Sequence, residues 1–184
     1  MDGVSTIPGR VERVSEPRWL DEHQQRAWRG YLAMNAQLMA RLHRQLQADS
    51  GLSLADFDVL VQLTDQPDER IRVLALAQAL QWEKSRLSHH LARMQRRGLI
   101  ARQGCPDDAR GAFIVLTPHG RRAIARAAPR HANTVRGLVF DQLTTEQIDT
   151  LHTIAQHVLA RLQHDRTAPT TPGHDRTPAM TDLV

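Results

Sequence analysis

Lys84, Ser85, Arg86, Ser88, His89 and Arg93 crowd polar or basic side chains into the ten residues from Lys84 to Arg93. These are groups that bind phosphate oxygens and the edges of bases, not a constellation that moves protons or attacks carbonyls. Between them Leu87, Leu91 and Met94 recur at spacings of four and three, which gathers the apolar residues on one face of a helix and leaves the polar set on the other. Lys84 and Ser85 fall in the first helical turn, where free backbone N–H groups and the helix dipole add to their pull on an anion. Arg86 and His89, further along, are placed for base edges, with arginine to guanine the leading pairing. Taken singly, each is equally well explained as a solvated surface residue; as a set they point to a polyanion. Arg110 is the second focus. It sits in a turn-rich stretch where folding has little need of arginine, and a guanidinium on such a tip suits the narrow minor groove. Asp108, two residues earlier, would steer it, or would simply bond its own turn backbone.

The elements that must carry these residues are legible around them. Gly98 closes the helix, since a left-handed cap costs glycine almost nothing. Two short strands follow, Leu99–Gln103 and Ala112–Leu116, joined through Pro106, Asp107, Asp108 and Gly111. Upstream, Val73–Leu80 is the first half of a helix-turn-helix, and Leu80, Gln81 and Trp82 form its turn. The expected fold is therefore mainly α with a small β-hairpin wing, a winged helix-turn-helix over about 53–117. A long helix is expected over about 21–49, bearing Trp28, Tyr31, Leu32, Asn35, Leu38, Met39, Leu42 and Leu46 at helical spacing. Ser53 caps a second helix to about Thr64 that buries Leu54, Phe57, Leu60 and Val61. After the wing, Thr117 and Pro118 start a helix reaching about Asp141, and Thr144 with Gln147 form a capping box for another that ends near Gln163. The first 18 residues read as an arm, 19–163 as the domain, and 164–184 as a disordered tail rich in Thr, Pro and Asp.

The wing residues bring a resemblance into view. Asp108-Ala109-Arg110-Gly111, then Leu116-Thr117 with Gly120 three residues on, resembles the wing of the MarR family of bacterial transcriptional regulators. Ala109 stands where the family usually has a second basic residue, and His90 where a helix position is usually aliphatic. The resemblance covers roughly Asp21 to Gln163 in element order, with its motifs concentrated in Leu80 to Gly120. It implies a regulator, a repressor released from a pseudo-palindromic double-stranded operator by a small ligand, frequently an aromatic or phenolic anion held between the dimerisation helices and the DNA-binding lobe. Trp28, Tyr31, Asn35, Phe57 and His90 could line that crevice, with Arg86 or His90 meeting an acidic group. Ordinary core is the competing role for Trp28 and Phe57, and a satisfied buried histidine for His90.

Composition agrees with a small binding protein. Between Lys84 and Arg126 there are ten basic residues against Asp107 and Asp108, an excess of eight, while the whole chain of 184 residues carries only +4. The remainder therefore sums to about four negative charges, and charge this lopsided is the footprint of a polyanion-binding face. Arginine supplies 23 of the 24 basic residues, Lys84 being the one lysine. Its planar fork suits phosphate and guanine, though a GC-rich genome would favour it too. Ile148, Leu151, Ile154, Ala155, Val158, Leu159 and Leu162 form a stripe too broad for one neighbour. The economical reading is a two-fold homodimer built by the terminal helices, presenting two recognition helices about 34–36 Å apart; a monomer burying those faces internally is the alternative. No segment has the apolar length of a membrane span, and one cysteine cannot form an internal disulfide, which fits the cytoplasm. Cys105, flanked by Arg102 and Arg110, makes a redox-responsive regulator a second possibility. Ten scattered histidines offer no metal-ligand spacing, and no cofactor or catalytic motif is present, so an enzyme is not expected. The rival from another class is a winged-helix module that binds protein.

Overall fold

The computed structural model describes residues 18–105 and 108–167, the side chains of 105, 108–111, 166 and 167 excepted. Its elements run α1 (Glu22–Ser50), α2 (Leu54–Thr64), β1 (Arg70–Arg72), α3 (Val73–Leu80), α4 (Lys84–Arg96), β2 (Ile100–Cys105), β3 (Asp108–Leu116), α5 (Pro118–Leu138), a 3-10 turn (Phe140–Gln142) and α6 (Thr145–Thr167). Residues up to Ala127 make one compact unit and those from Ala128 a second. The expected arm before Arg18, and the tail beyond Thr167, lie outside the described residues.

In the first unit, local signals start α1 and α2. Asp21 and Gln24 cap α1 reciprocally, and Ser53 and Asp56 do the same for α2, satisfying N–H groups that have no partner within the helix. The three strands form an antiparallel sheet in the order β1-β3-β2. Ile71 pairs with Ile114, which pairs with Arg102, so the central strand is flanked on both sides. Leu46, Leu60, Leu63, Leu76, Leu87, Leu91, Met94 and Ile114 are fully buried and knit the last turns of α1, α2, α3 and α4 onto the sheet. Helix α1 buries only Leu42, Gln45 and Leu46, at its C-terminal end. In α2 the core residues are Phe57, Val59, Leu60 and Leu63, whereas Leu54 and Val61 are half-buried.

The base of the wing is closed by an arrangement only glycine permits. Thr117 Oγ1 lies 2.7 Å from Gly98 O and accepts a bond of 3.0 Å from Gly120 N, so it caps α5 while tying down the end of α4. Gly98 adopts a φ of 70°, in the left-handed region. A Cβ on Gly120 would run into the carbonyl of Leu99 and approach Leu116 Cδ1 to 2.9 Å.

Several boundaries differ from expectation. Both wing strands are longer, β2 reaching Cys105 and β3 starting at Asp108, with a register irregularity at Gly104 and Cys105. β1 was not expected: three residues cannot display a periodicity, and only pairing to β3 makes them a strand. In the second unit α5 stops at Leu138, short of Asp141, because the backbone tightens into the 3-10 turn. Helix α6 begins at the expected capping box, Thr144 N to Gln147 Oε1 at 2.9 Å and Gln147 N to Thr144 Oγ1 at 3.3 Å. It then runs past Gln163 to Thr167, so the stretch from His164 expected to be disordered starts as helix. An Arg161–Asp165 ion pair of 3.0 Å spans that added turn. Leu151, Ile154, Val158, Leu159 and Leu162 on α6 are each 41–56% exposed.

Candidate nucleic-acid interface

The turn between α3 and α4 sets the recognition face. Gln81 takes a left-handed φ of 55°, and Trp82 N bonds back to Ala77 O at 3.0 Å, which swings the chain sharply into α4. Glu83, the N-cap, makes no side-chain bond to the helix start, so the first-turn N–H groups beside Lys84, Ser85 and Arg86 are not claimed by a capping side chain. Leu87, Leu91 and Met94 are buried, and Lys84, Ser85, Arg86, Ser88, His89 and Arg93 are all exposed. The six predicted contacts thus share the outward face of one helix.

Behind that face lies a buried ionic node. Asp56, on α2, is 3% exposed. Its Oδ2 accepts from Ser53 N at 2.9 Å and from Arg97 Nη1 at 2.6 Å. Its Oδ1 lies 3.1 Å from His90 Nε2, an off-line approach that makes this an electrostatic contact rather than a well-aligned hydrogen bond. Burial alone would raise the carboxyl's pKa, but His90, the Ser53 backbone, Arg97 and the Ser53 hydroxyl together hold it far below the ordinary carboxylate range. Arg97 Nη2 also donates to Gly51 O at 2.7 Å, so one guanidinium ties the end of α1 and the start of α2 to the end of α4. On its other side, His90 Nδ1 is 3.0 Å from Arg93 Nη2. Arginine can only donate, so Nδ1 is the acceptor there.

His90 is therefore held as a structural member of this node. Phe57 is also buried in the first unit. Trp28 and Tyr31, by contrast, stack at 5.6 Å on the exposed part of α1, each 52% exposed, and Asn35 is exposed one turn on. The five residues offered as a ligand crevice thus divide between a solvent-facing pair of rings and a buried core. Asp108 and Arg110 fall on the β3 backbone, but their side chains, like that of Cys105, lie outside the described residues.

Three features were missed in the sequence. Arg97, next to the helix-closing Gly98, has by its position only the bland role of a charge favourable to the helix dipole, yet it bridges three elements. Asp56 had a usable signal: it shares the spacing of the buried Leu60 and Leu63, and an acid on an apolar face requires a partner. Arg70 and Arg72 were passed over; both guanidinium groups lie over Phe113, at 5.1 and 5.3 Å, on the sheet next to the wing, and Arg70 also pairs with Asp68 at 3.5 Å. Among the described residues no group of three His, Cys, Asp or Glu could hold a metal ion, and no helix is long and apolar enough to cross a membrane.

A helix-turn-helix with one short strand before it and two after it, the three forming one sheet from which the last two project as a hairpin, is a winged helix module. The MarR family model matches residues 50–111, which run from the α1–α2 corner into the wing. Among solved structures, AbsC, a MarR family transcriptional regulator from Streptomyces coelicolor, superposes with a TM-score of 0.77 at 36% identity, over 80% of this chain and 99% of that one. Sco3205 from the same organism, a MarR family regulator solved in complex with DNA, gives 0.76 at 40% identity, over 78% and 94%. Transcriptional regulator HosA of Escherichia coli O111:H- is 36% identical over 78 residues, 42% of this chain. That match spans 56%, about half, of HosA's own length. The chain belongs to the MarR family of transcriptional regulators.

Proposed function

We propose that this regulator is a homodimeric, sequence-specific repressor of a pseudo-palindromic operator, released by a small effector. The observation that carries the DNA reading is the outward face of α4, where six polar or basic side chains stand together beside a helix start that no side chain caps. Lys84 and Ser85 take phosphate at that start, Arg93 takes phosphate further along, Arg110 on the wing takes the phosphates flanking the minor groove it enters, and Arg86 and His89 reach base edges. That Sco3205 was solved with DNA supports the same assignment.

The dimer rests on apolar surface. The half-exposed Leu151, Ile154, Val158, Leu159 and Leu162 of α6, and Leu32 and Met34 of α1, are large side chains that a second copy would cover. The effector is a small aromatic or phenolic anion, and the stacked pair Trp28 and Tyr31, with Asn35, is the surface that suits such a ring.

Fluorescence anisotropy of a labelled operator duplex across a salt series tests the reading. Lys84, Arg93 and Arg110 from two protomers would neutralise six phosphates, giving a slope of log affinity against log salt near −5, at about 0.9 per phosphate. A flat response would dismiss DNA as the partner and leave the winged module as a protein-binding one.

A further inference from the structure

Arg86 does not stand free on the recognition face. Its Cζ lies 4.6 Å from the centre of the Trp82 ring, four residues back. Trp82 in turn meets the His90 ring edge to face, with centroids 5.3 Å apart and planes at 89°. His90 is gripped from two sides, by Asp56 on α2 at 3.1 Å and by Arg93 at 3.0 Å. Asp56 is fixed by Ser53 N and Arg97 Nη1. An unbroken series of contacts therefore runs from a buried carboxylate to the one arginine placed for base edges. Trp82 cannot drift at its backbone either, since its N–H is bonded to Ala77 O and the residue before it is locked in a left-handed turn.

We propose that Trp82 is a specificity-determining positioning residue: it seats the Arg86 guanidinium, with His90 as the stop behind it, so that Arg86 reads a guanine in each half-site instead of wandering between phosphates. A long side chain on an exposed helix loses much rotamer freedom when it docks on a base, and seating it beforehand removes that loss from the binding step. The indole face supplies attraction without a lone pair, so the donors of the fork stay available for guanine O6 and N7. His90 has the polar edge that an aliphatic side chain lacks: it is anchored by charge on one side and packs an aromatic edge on the other.

This deepens the DNA-binding reading and rests on it. The test uses the full chain and a duplex selected by the wild type from a random library, with every single-base variant of that duplex. Trp82→Leu should lower the preference for guanine at one base pair per half-site by at least about fivefold, the lower end of what one bidentate contact discriminates. The salt slope should stay unchanged, because no phosphate contact is lost. Trp82→Tyr, which keeps an aromatic face, should retain most of the preference. In an Arg86→Ala background Trp82→Leu should have no further effect on base preference, since the two act as one unit. Preference unaltered in Trp82→Leu, or equal weakening on all duplexes with an additive double variant, would overturn the proposal and make Trp82 a packing residue. Should the leucine variant not fold, loss of preference in Trp82→Tyr would overturn it equally. Failure of the wild type to select any duplex would sink the DNA reading itself, a result distinguishable from all of these.

Discussion

Asp56→Asn changes almost nothing in shape and removes the charge on which the node is built. The amide can still accept one bond at Ser53 N, but it meets Arg97 and His90 without a negative charge. Arg97, whose side chain is 44% exposed, can turn partly to water and keep Gly51 O, so its share is modest. His90, with 8% of its side chain exposed, has no such escape. Breaking one member of a buried ionic group costs about 3–5 kcal/mol, and Arg97's access to solvent puts the expected loss near the lower end, ~3 kcal/mol. For a domain of ordinary stability that is a large fraction of the total, readable by urea denaturation at neutral pH. The pH dependence has a definite sign. A carboxyl held below its ordinary value stabilises the fold only while ionised, so the contribution is complete above the usual 3.8 and is lost as pH falls through the lower folded value. The gap between wild type and Asp56→Asn should therefore shrink on acidification below 3.8, by roughly 1.4 kcal/mol per pH unit, until the lower folded value is reached. A variant within ~0.5 kcal/mol of wild type at neutral pH, or a gap that persists unchanged to about pH 2.5, would refute the reasoning.

Gly120→Ala should cost at least ~1–3 kcal/mol, because its methyl group meets the Leu99 backbone, which cannot swing aside as a side chain can; a melting temperature equal to wild type would show that the α5 start shifts freely. Leu159→Glu should convert a dimer to a monomer in light scattering at micromolar concentration, and an unchanged mass would place the interface elsewhere. Cys105→Ser should leave both duplex affinity and its relief by effector nearly unchanged. Peroxide release of the wild type, reversed by thiol and absent in the serine variant, would instead make the wing a redox switch.

What the sequence disclosed follows from range. The polar and apolar faces of α4, the cap at Ser53, the Thr144–Gln147 box and the Thr117–Gly120 closure are decided within three to seven residues of chain, so spacing alone displays them. Arg97 reaches Asp56 across 41 residues and Gly51 across 46, and no local pattern announces such a meeting. β1 was hidden for a related reason: Arg70-Ile71-Arg72 becomes a strand only because Val115, Ile114 and Phe113 are there to pair with it. Trp82 was visible as a turn residue, but its use depends on where His90 and Arg86 point, which a linear reading cannot supply. The ligand crevice came from the resemblance and not from spacing, and spacing alone does not tell the exposed rings of Trp28 and Tyr31 from the buried one of Phe57.

The arginine bias of this chain has a chemical consequence at the first turn of α4. Lys84 carries the only side-chain amine among 184 residues, and it is exposed on the recognition face. Any reagent or enzyme that acylates lysine therefore has a single side-chain target, and reaction there erases one positive charge at a helix start. Acetylation assigned to Lys84 by peptide mass, and so told apart from reaction at the chain's α-amine, would perturb the proposed interface at one site without mutagenesis. A labelled protein of unaltered duplex affinity would show that Lys84 touches no phosphate.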